Sequence, residues 1–120
     1  MKVLVVDDDE AVAEMLTRYL VDEQFEVFTA FDTLQAIAIL DAEKIDAVVT
    51  DLMMPHLDGR ELVRRIRANP KTHGIPVILM TAYYRDDTVD AVLREGASLY
   101  LPKPVDLPML STMLRFAGEG

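Results

Sequence analysis

A chain of 120 residues, 51% of them hydrophobic, is long enough for one domain with a real core. It has no Cys, which excludes disulfides and Cys-based metal sites. Its formal net charge of -9 opposes direct nucleic-acid binding, because phosphates repel an acidic surface, and it favours cations or basic partners. The start, Met1-Lys2-Val3-Leu4, enters a strand-like run with no signal-peptide pattern. No apolar run approaches the roughly 18 residues of a membrane span. There is no internal repeat, low-complexity tract or linker. The expectation is a single cytoplasmic domain over residues 1–120.

Val3-Leu4-Val5-Val6 is an unbroken apolar run that stops on Asp7-Asp8-Asp9-Glu10. Such runs fit strands buried on both faces. Val12, Met15, Leu16, Tyr19 and Leu20 follow at helical spacing. The acids before them suit a helix N-terminus, and Asp9 and Glu10 read as helix-start residues. Glu26 to Ala30 reads as a second, more polar strand. Leu34, Ile37, Ala38 and Leu40 mark a second helix, capped near Asp32 or Thr33. Ala47 to Thr50 is a third strand ending at Asp51. Pro55 and Gly59 turn the chain into a third helix, opened by Asp58-Gly59, with Leu62, Val63 and Ile66 inward and a stop at Asn69-Pro70. Pro76 to Thr81 is a fourth strand. Asp86 to Glu95 is a fourth helix, with Val89, Val92 and Leu93 inward and Gly96 closing it. Ser98 to Leu101 is a short fifth strand, broken by Pro102-Lys103-Pro104. Leu107, Leu110, Met113 and Leu114 define a last helix ending near Gly118.

Strand and helix alternate five times, which predicts an α/β fold: one parallel sheet with five helices on its two faces. The first, third and fourth strands are the most apolar and belong in the centre. The second and fifth are more polar or shorter and belong at the edges. A doubly wound, flavodoxin-like sheet of order 2-1-3-4-5 satisfies this, and its switch point lies between the first and third strands. Asp7, Asp8 and Asp51 then converge in one crevice. Like charges that close raise one another's pKa unless a cation neutralises them. Oxygen ligands without Cys or His suit a hard ion such as Mg²⁺. Thr81 ends the fourth strand and Lys103 follows the fifth, so both face the same crevice. The economical chemistry is a phosphoryl group carried on a carboxylate: Asp51 as nucleophile, Lys103 neutralising charge and Thr81 donating to a phosphoryl oxygen.

Five pieces in order carry a resemblance: Val5-Val6-Asp7-Asp8, Thr50-Asp51-Leu52-Met53-Met54-Pro55, Leu57-Asp58-Gly59, Met80-Thr81-Ala82 and Lys103-Pro104. Over essentially its whole length the chain resembles the receiver domain of two-component response regulators, chemotaxis regulators among them. The resemblance implies Asp51 as phospho-acceptor, taking phosphate from a histidine kinase or phosphotransfer protein. It implies Asp7, Asp8, Asp51 and the main-chain carbonyl of Met53 as Mg²⁺ ligands. Thr81 and Tyr100 become the switch pair and Lys103 the phosphoryl contact, with a cis Lys103-Pro104 bond. The kinase is expected to meet the first helix and neighbouring loops. A downstream output domain or target protein is implied, as is the option of a phosphorylation-dependent homodimer, although no strong apolar patch in the sequence supports one. Met53 and Tyr83 occupy two positions that vary among receivers and bear on phosphate lifetime. Neither can readily orient an attacking water, so Asp51-phosphate is expected not to be especially short-lived.

Two other functions fit these residues less well. A hydrolase working through an aspartyl-phosphate usually shows a second Asp two residues after the nucleophile, where this chain has Met53. A docking module that has lost phosphorylation would not need Asp7, Asp8, Asp51, Thr81 and Lys103 together. The protein is therefore expected to be a signalling switch rather than an enzyme with a separate substrate. Arg60, Arg64 and Arg67 share one face of the third helix and read as solvated, with Glu61 and Arg65 spaced for a surface pair. His56 and His73 fall in loops, without ligand roles. Met109, Met113 and Phe116 are read as including core residues.

Overall fold

Where the sequence alternates apolar runs with amphipathic segments, the backbone alternates strands with helices. The structure, a computed structural model, describes residues 1–54, 57–82 and 86–119. In chain order the elements are β1 (Lys2–Val6), α1 (Glu10–Asp22), β2 (Glu26–Ala30), α2 (Thr33–Ala42), β3 (Ala47–Asp51), β4 (Met53–Met54), β5 (Leu57–Asp58), α3 (Gly59–Ala68), β6 (Val77–Thr81), α4 (Asp86–Arg94), β7 (Leu99–Pro102) and α5 (Leu107–Glu119). Five strands form one parallel sheet in the order β2-β1-β3-β6-β7. This is the expected 2-1-3-4-5 order of a flavodoxin-like fold. The short antiparallel ribbon of β4 and β5 was not anticipated. Two residues per strand carry too little periodicity to read.

Burial explains the order. Every residue of β3 and β6 is buried, as are Val3 to Val6 of β1. The edge strands β2 and β7 are only partly covered. Alternate residues of the central strands feed two cores. Leu4, Val6, Val48 and Leu79 pack with Leu40, Leu62, Ile66 and Val92 of α2, α3 and α4. Val3, Val5, Val49, Ile78 and Met80 pack with Leu16, Leu20, Leu110 and Leu114 of α1 and α5.

Three helix starts are capped by aspartates, whose short side chains reach orphan N–H groups. Asp9 accepts from the amides of Ala11 and Val12 at 3.0 and 3.3 Å. Asp32 accepts from Gln35 N at 2.7 Å, and Asp106 from Met109 N at 2.9 Å. Gly96 ends α4 at φ +128°, a conformation that side chains resist.

Helix faces were read less well than helix positions. Leu34 and Met15 fall on the apolar stripes by spacing but are 76% and 46% exposed. In α2, Ala36 and Leu40 are buried while Ala38 is exposed. That helix is apolar on most sides, so its spacing does not single out one face. In α5, Met113 packs against the core, whereas Met109 and Phe116 are exposed, because Leu110, Ser111 and Leu114 fill the inward stripe.

Candidate functional site

Each parallel strand delivers its last residues to the same edge of the sheet. Val6 pairs with Thr50, Asp51 with Met80, and Thr81 with Pro102. Asp7, Asp51, Thr81 and Lys103 therefore arrive at one rim, across the junction of β1 and β3. The rim is tied by its backbone: Asp7 N donates to Ala30 O at 3.1 Å, Leu52 N to Met80 O at 3.0 Å, and Lys103 N to Thr81 O at 2.8 Å. Asp7 is fully buried, Asp51 is 7% exposed and Thr81 is 1% exposed. The Lys103-Pro104 peptide bond is cis.

Lys103 is the hinge of the site's charge. Its Nζ lies 2.6 Å from Asp51 Oδ2 and 3.3 Å from Asp7 Oδ2. Burial works to lower the Lys103 pKa, but the hydrogen bond and charge of Asp51, then those of Asp7, outweigh it and raise it. Burial pushes the Asp7 carboxyl above the usual carboxylate range. The Asp9 N–H donated to Asp7 Oδ1 at 2.9 Å and the Lys103 charge restrain that shift, while Asp51 adds to it. Both groups shift upward, but for different reasons: burial raises Asp7, and the two carboxylates raise Lys103.

The charge imbalance at the rim is a test of the metal expectation. One cation does not neutralise two buried carboxylates, and their oxygen-only donors match a hard divalent ion. Asp7 and Asp51 fit Mg²⁺ in chemistry. The three-carboxylate convergence is realised for these two. Asp8 is half-buried at the same rim, and among the described residues no three His, Cys, Asp or Glu side chains stand in a metal-holding group. Asp7 already spends Oδ1 on the Asp9 amide and Oδ2 on Lys103. Met53 lies in β4, two residues beyond Asp51.

Gly59 explains how α3 seats beneath Asp51. Its N donates to Leu52 O at 3.1 Å. A Cβ there would collide with the Asp51 carbonyl oxygen and stand 2.9 Å from Leu52 Cα, against backbone that cannot yield cheaply. Gly59→Ala is expected to cost about 1–3 kcal/mol, the range for overpacking, read as a lower urea midpoint at unchanged slope.

Tyr100 is half-buried in β7 and packs against the core that carries α2, α3 and α4. It thus lies on the α4 side of the sheet, two strands from Asp51 across β6. Tyr83 and His56, named from the sequence, lie outside the described residues. His73 is exposed in the loop before β6.

The arginine face of α3 is partly solvated, with Arg60 and Arg64 side chains 40% and 51% exposed, but it is also paired. Arg60 grips Glu95 with two nitrogens, at 2.8 and 2.5 Å, and Arg64 adds a contact at 3.3 Å. Arg67 donates to the carbonyls of Gly96, His73 and Ile75 at 2.7, 2.8 and 2.6 Å. The signal was present as arginines spaced four and three apart, opposite a Glu-Gly helix stop, but only the tertiary packing of α3 beside the end of α4 pairs them. The expected Glu61–Arg65 pair is present at 3.2 Å.

The Arg60 hydrogen bond, with the charges of both arginines, holds the Glu95 carboxyl down to about 2. A depressed acid contributes stability that is present above its unfolded pKa, near 4.3, and is lost as pH falls through the folded value. The stability gap between the wild type and Glu95→Gln should therefore shrink between about pH 5 and 2, and at high salt. Urea titrations across that window measure it.

The chain belongs to the response regulator receiver domain family, whose model matches residues 3–115. It is thus a receiver domain of two-component signalling. It is 40% identical to response regulator MprA of Mycobacterium avium (strain 104) over 96% of this chain and 50% of that one, so it spans half of that relative's length. Among solved structures, a putative response regulator from Chloroflexus aurantiacus superposes with a TM-score of 0.92 at 31% identity, covering 99% of this chain and 98% of that one. Chemotaxis response regulator CheY4 of Vibrio cholerae superposes at 0.89 with 28% identity, covering 97% of each chain.

Proposed function

We propose that Asp51 accepts a phosphoryl group from a histidine kinase or phosphotransfer protein and that the modified domain switches a surface read by an output domain or target protein. The observation that carries this reading is Lys103 Nζ at 2.6 Å from the Asp51 carboxylate, in a rim closed by buried Asp7 and Thr81. An Asp51 carboxylate oxygen attacks phosphorus, the donor's P–N bond breaks, and the imidazole leaves with a proton from solvent. Lys103 is already charged and in place, so it offsets the phosphoryl oxygens without reorganising. Asp7, Asp8, Asp51 and the Met53 carbonyl would hold Mg²⁺. When bound, that ion supplies the positive charge that draws negative phosphoryl oxygens against an acidic rim.

Phosphorylation adds roughly -1.5 to -2 charge at Asp51. Thr81 then turns its hydroxyl toward the phosphoryl oxygens, drawing the segment before α4, and Tyr100 rotates into the space freed. Two populations of the domain are shifted, and a partner selects one. On this reading the protein assists its own phosphotransfer and slow dephosphorylation, has no separate substrate, and works in the cytoplasm. No helix among the described residues is long and apolar enough to cross a membrane.

Intact mass after treatment with acetyl phosphate tests the proposal. A gain of one phosphate that requires Mg²⁺ is expected; no gain by the folded protein would leave a phosphorylation-independent docking module. Thr81→Ala should accept phosphate yet lose most of the phosphorylation-dependent change in hydrogen exchange at β7. A full change in that variant would remove Thr81 from the switch.

A further inference from the structure

The end of α4 is held to α3 by a cluster that the chemistry at Asp51 does not use. Glu95 follows the last residue of α4 and receives Arg60 at 2.8 and 2.5 Å and Arg64 at 3.3 Å. Gly96 comes next, and its carbonyl accepts from Arg67 at 2.7 Å. Ser98 Oγ accepts from Val77 N at 3.1 Å and lies 3.4 Å from Arg67 Nη2. Ala97 N donates back to Val92 O at 3.1 Å. Three arginines of one α3 face therefore clamp the turn between α4 and β7. The helix α4 starts at Asp86, a few residues beyond Thr81, the group that answers the phosphoryl charge.

We propose that Arg60 and Arg64 of α3, with Glu95, form a pivot that fixes the C-terminal end of α4, so that phosphorylation of Asp51 tilts this helix instead of sliding it. The inference rests on the phospho-acceptor reading above. A rod held at one end and pulled at the other turns about the held end. The displacement is then largest at the start of α4 and smallest at residues 93–97. The bidentate Arg60 fork suits this role, because two parallel bonds fix direction as well as distance. The charges also lie on opposite elements, so the strut spans the gap that a sliding helix would have to change. Arg60, Arg64 and Glu95 are positioning residues: they act through the end of α4 and carry none of the roles proposed at Asp51.

The test is hydrogen exchange of the whole protein, with and without acetyl phosphate and Mg²⁺, in the wild type, Arg60→Ala/Arg64→Ala, Glu95→Gln and the conservative Arg60→Lys. In the wild type, the phosphorylation-dependent difference should appear near residues 86–90 and be small at 93–97. In the first two variants it should rise at 93–97 by at least about threefold, as local opening there becomes coupled to the acceptor. Phosphate incorporation should stay within about twofold of wild type, because the chemistry at Asp51 is untouched. Arg60→Lys, which keeps charge but loses the fork, should fall between. A merely structural role would raise exchange equally in both states and leave the difference unchanged, which would overturn the pivot. A large difference at 93–97 in the wild type would overturn it too. A wild type that accepts no phosphate would overturn the receiver chemistry and the pivot with it, whereas phosphorylated variants with a wild-type pattern would overturn the pivot alone.

Discussion

Asp51→Asn is expected to lose phosphate incorporation from acetyl phosphate by at least roughly 10³-fold, because the amide removes the nucleophile itself. The surroundings make this substitution a clean one. Asn is close in size to Asp, and Asp51 sits at the end of a fully buried strand whose backbone pairs with β1 and β6. The amide oxygen can still accept from Lys103, which stands at 2.6 Å from Oδ2 in the native protein. The fold should therefore persist, and far-ultraviolet circular dichroism should match the wild type. Intact mass is the measurement. Undiminished incorporation in Asp51→Asn would move the acceptor to another carboxylate of the rim, with Asp7 and Asp8 the first to examine.

Lys103→Met should slow phosphorylation by about 10²–10³-fold, the loss typical of removing one preorganised charge from a developing anion. Its effect on stability has a definite sign. The substitution leaves Asp7 and Asp51 buried with no ammonium between them, and removing one partner of a buried ion cluster costs about 3–5 kcal/mol. Lys103 is about a fifth exposed, so the lower end of that range applies. Without the lysine, Asp7, which burial already pushes upward, favours protonation in the folded state still more. The deficit should then shrink as pH falls and the Asp7 carboxyl becomes neutral. In the wild type the lysine's own contribution runs the other way. Its folded pKa is raised, so its stabilisation is complete below the unfolded value near 10.4 and is lost only as pH rises through the folded one. Urea midpoints at neutral and acid pH measure the carboxylate term, and midpoints carried above the unfolded lysine value measure the other. A variant as stable as wild type at neutral pH would show that water, not Lys103, carries the compensation.

The sequence by itself determined the class of fold and the chemistry of the rim. Unbroken runs such as Val3 to Val6 and Ala47 to Thr50 demanded strands buried on both faces, and amphipathic spacing between them demanded helices. Relative apolarity ranked the strands as central or edge, a ranking that the order 2-1-3-4-5 satisfies. Once that order was known, strand ends alone brought Asp7, Asp51, Thr81 and Lys103 to one place, because parallel strands all finish on the same side. Local signals were legible wherever their physics is local, as with the Asp9 and Asp32 caps and the Gly96 stop. Tertiary structure decided what depends on the neighbour. It showed that Lys103 divides itself unequally between Asp51 and Asp7, since a distance of 2.6 against 3.3 Å follows from packing rather than spacing. It showed that Gly59 is required by the approach of α3 to the Asp51 carbonyl. It turned Arg60, Arg64 and Arg67 from a solvated face into a clamp on the end of α4. Charge on a helix reads as solvated until another element is placed beside it, and only the folded chain places Glu95 there.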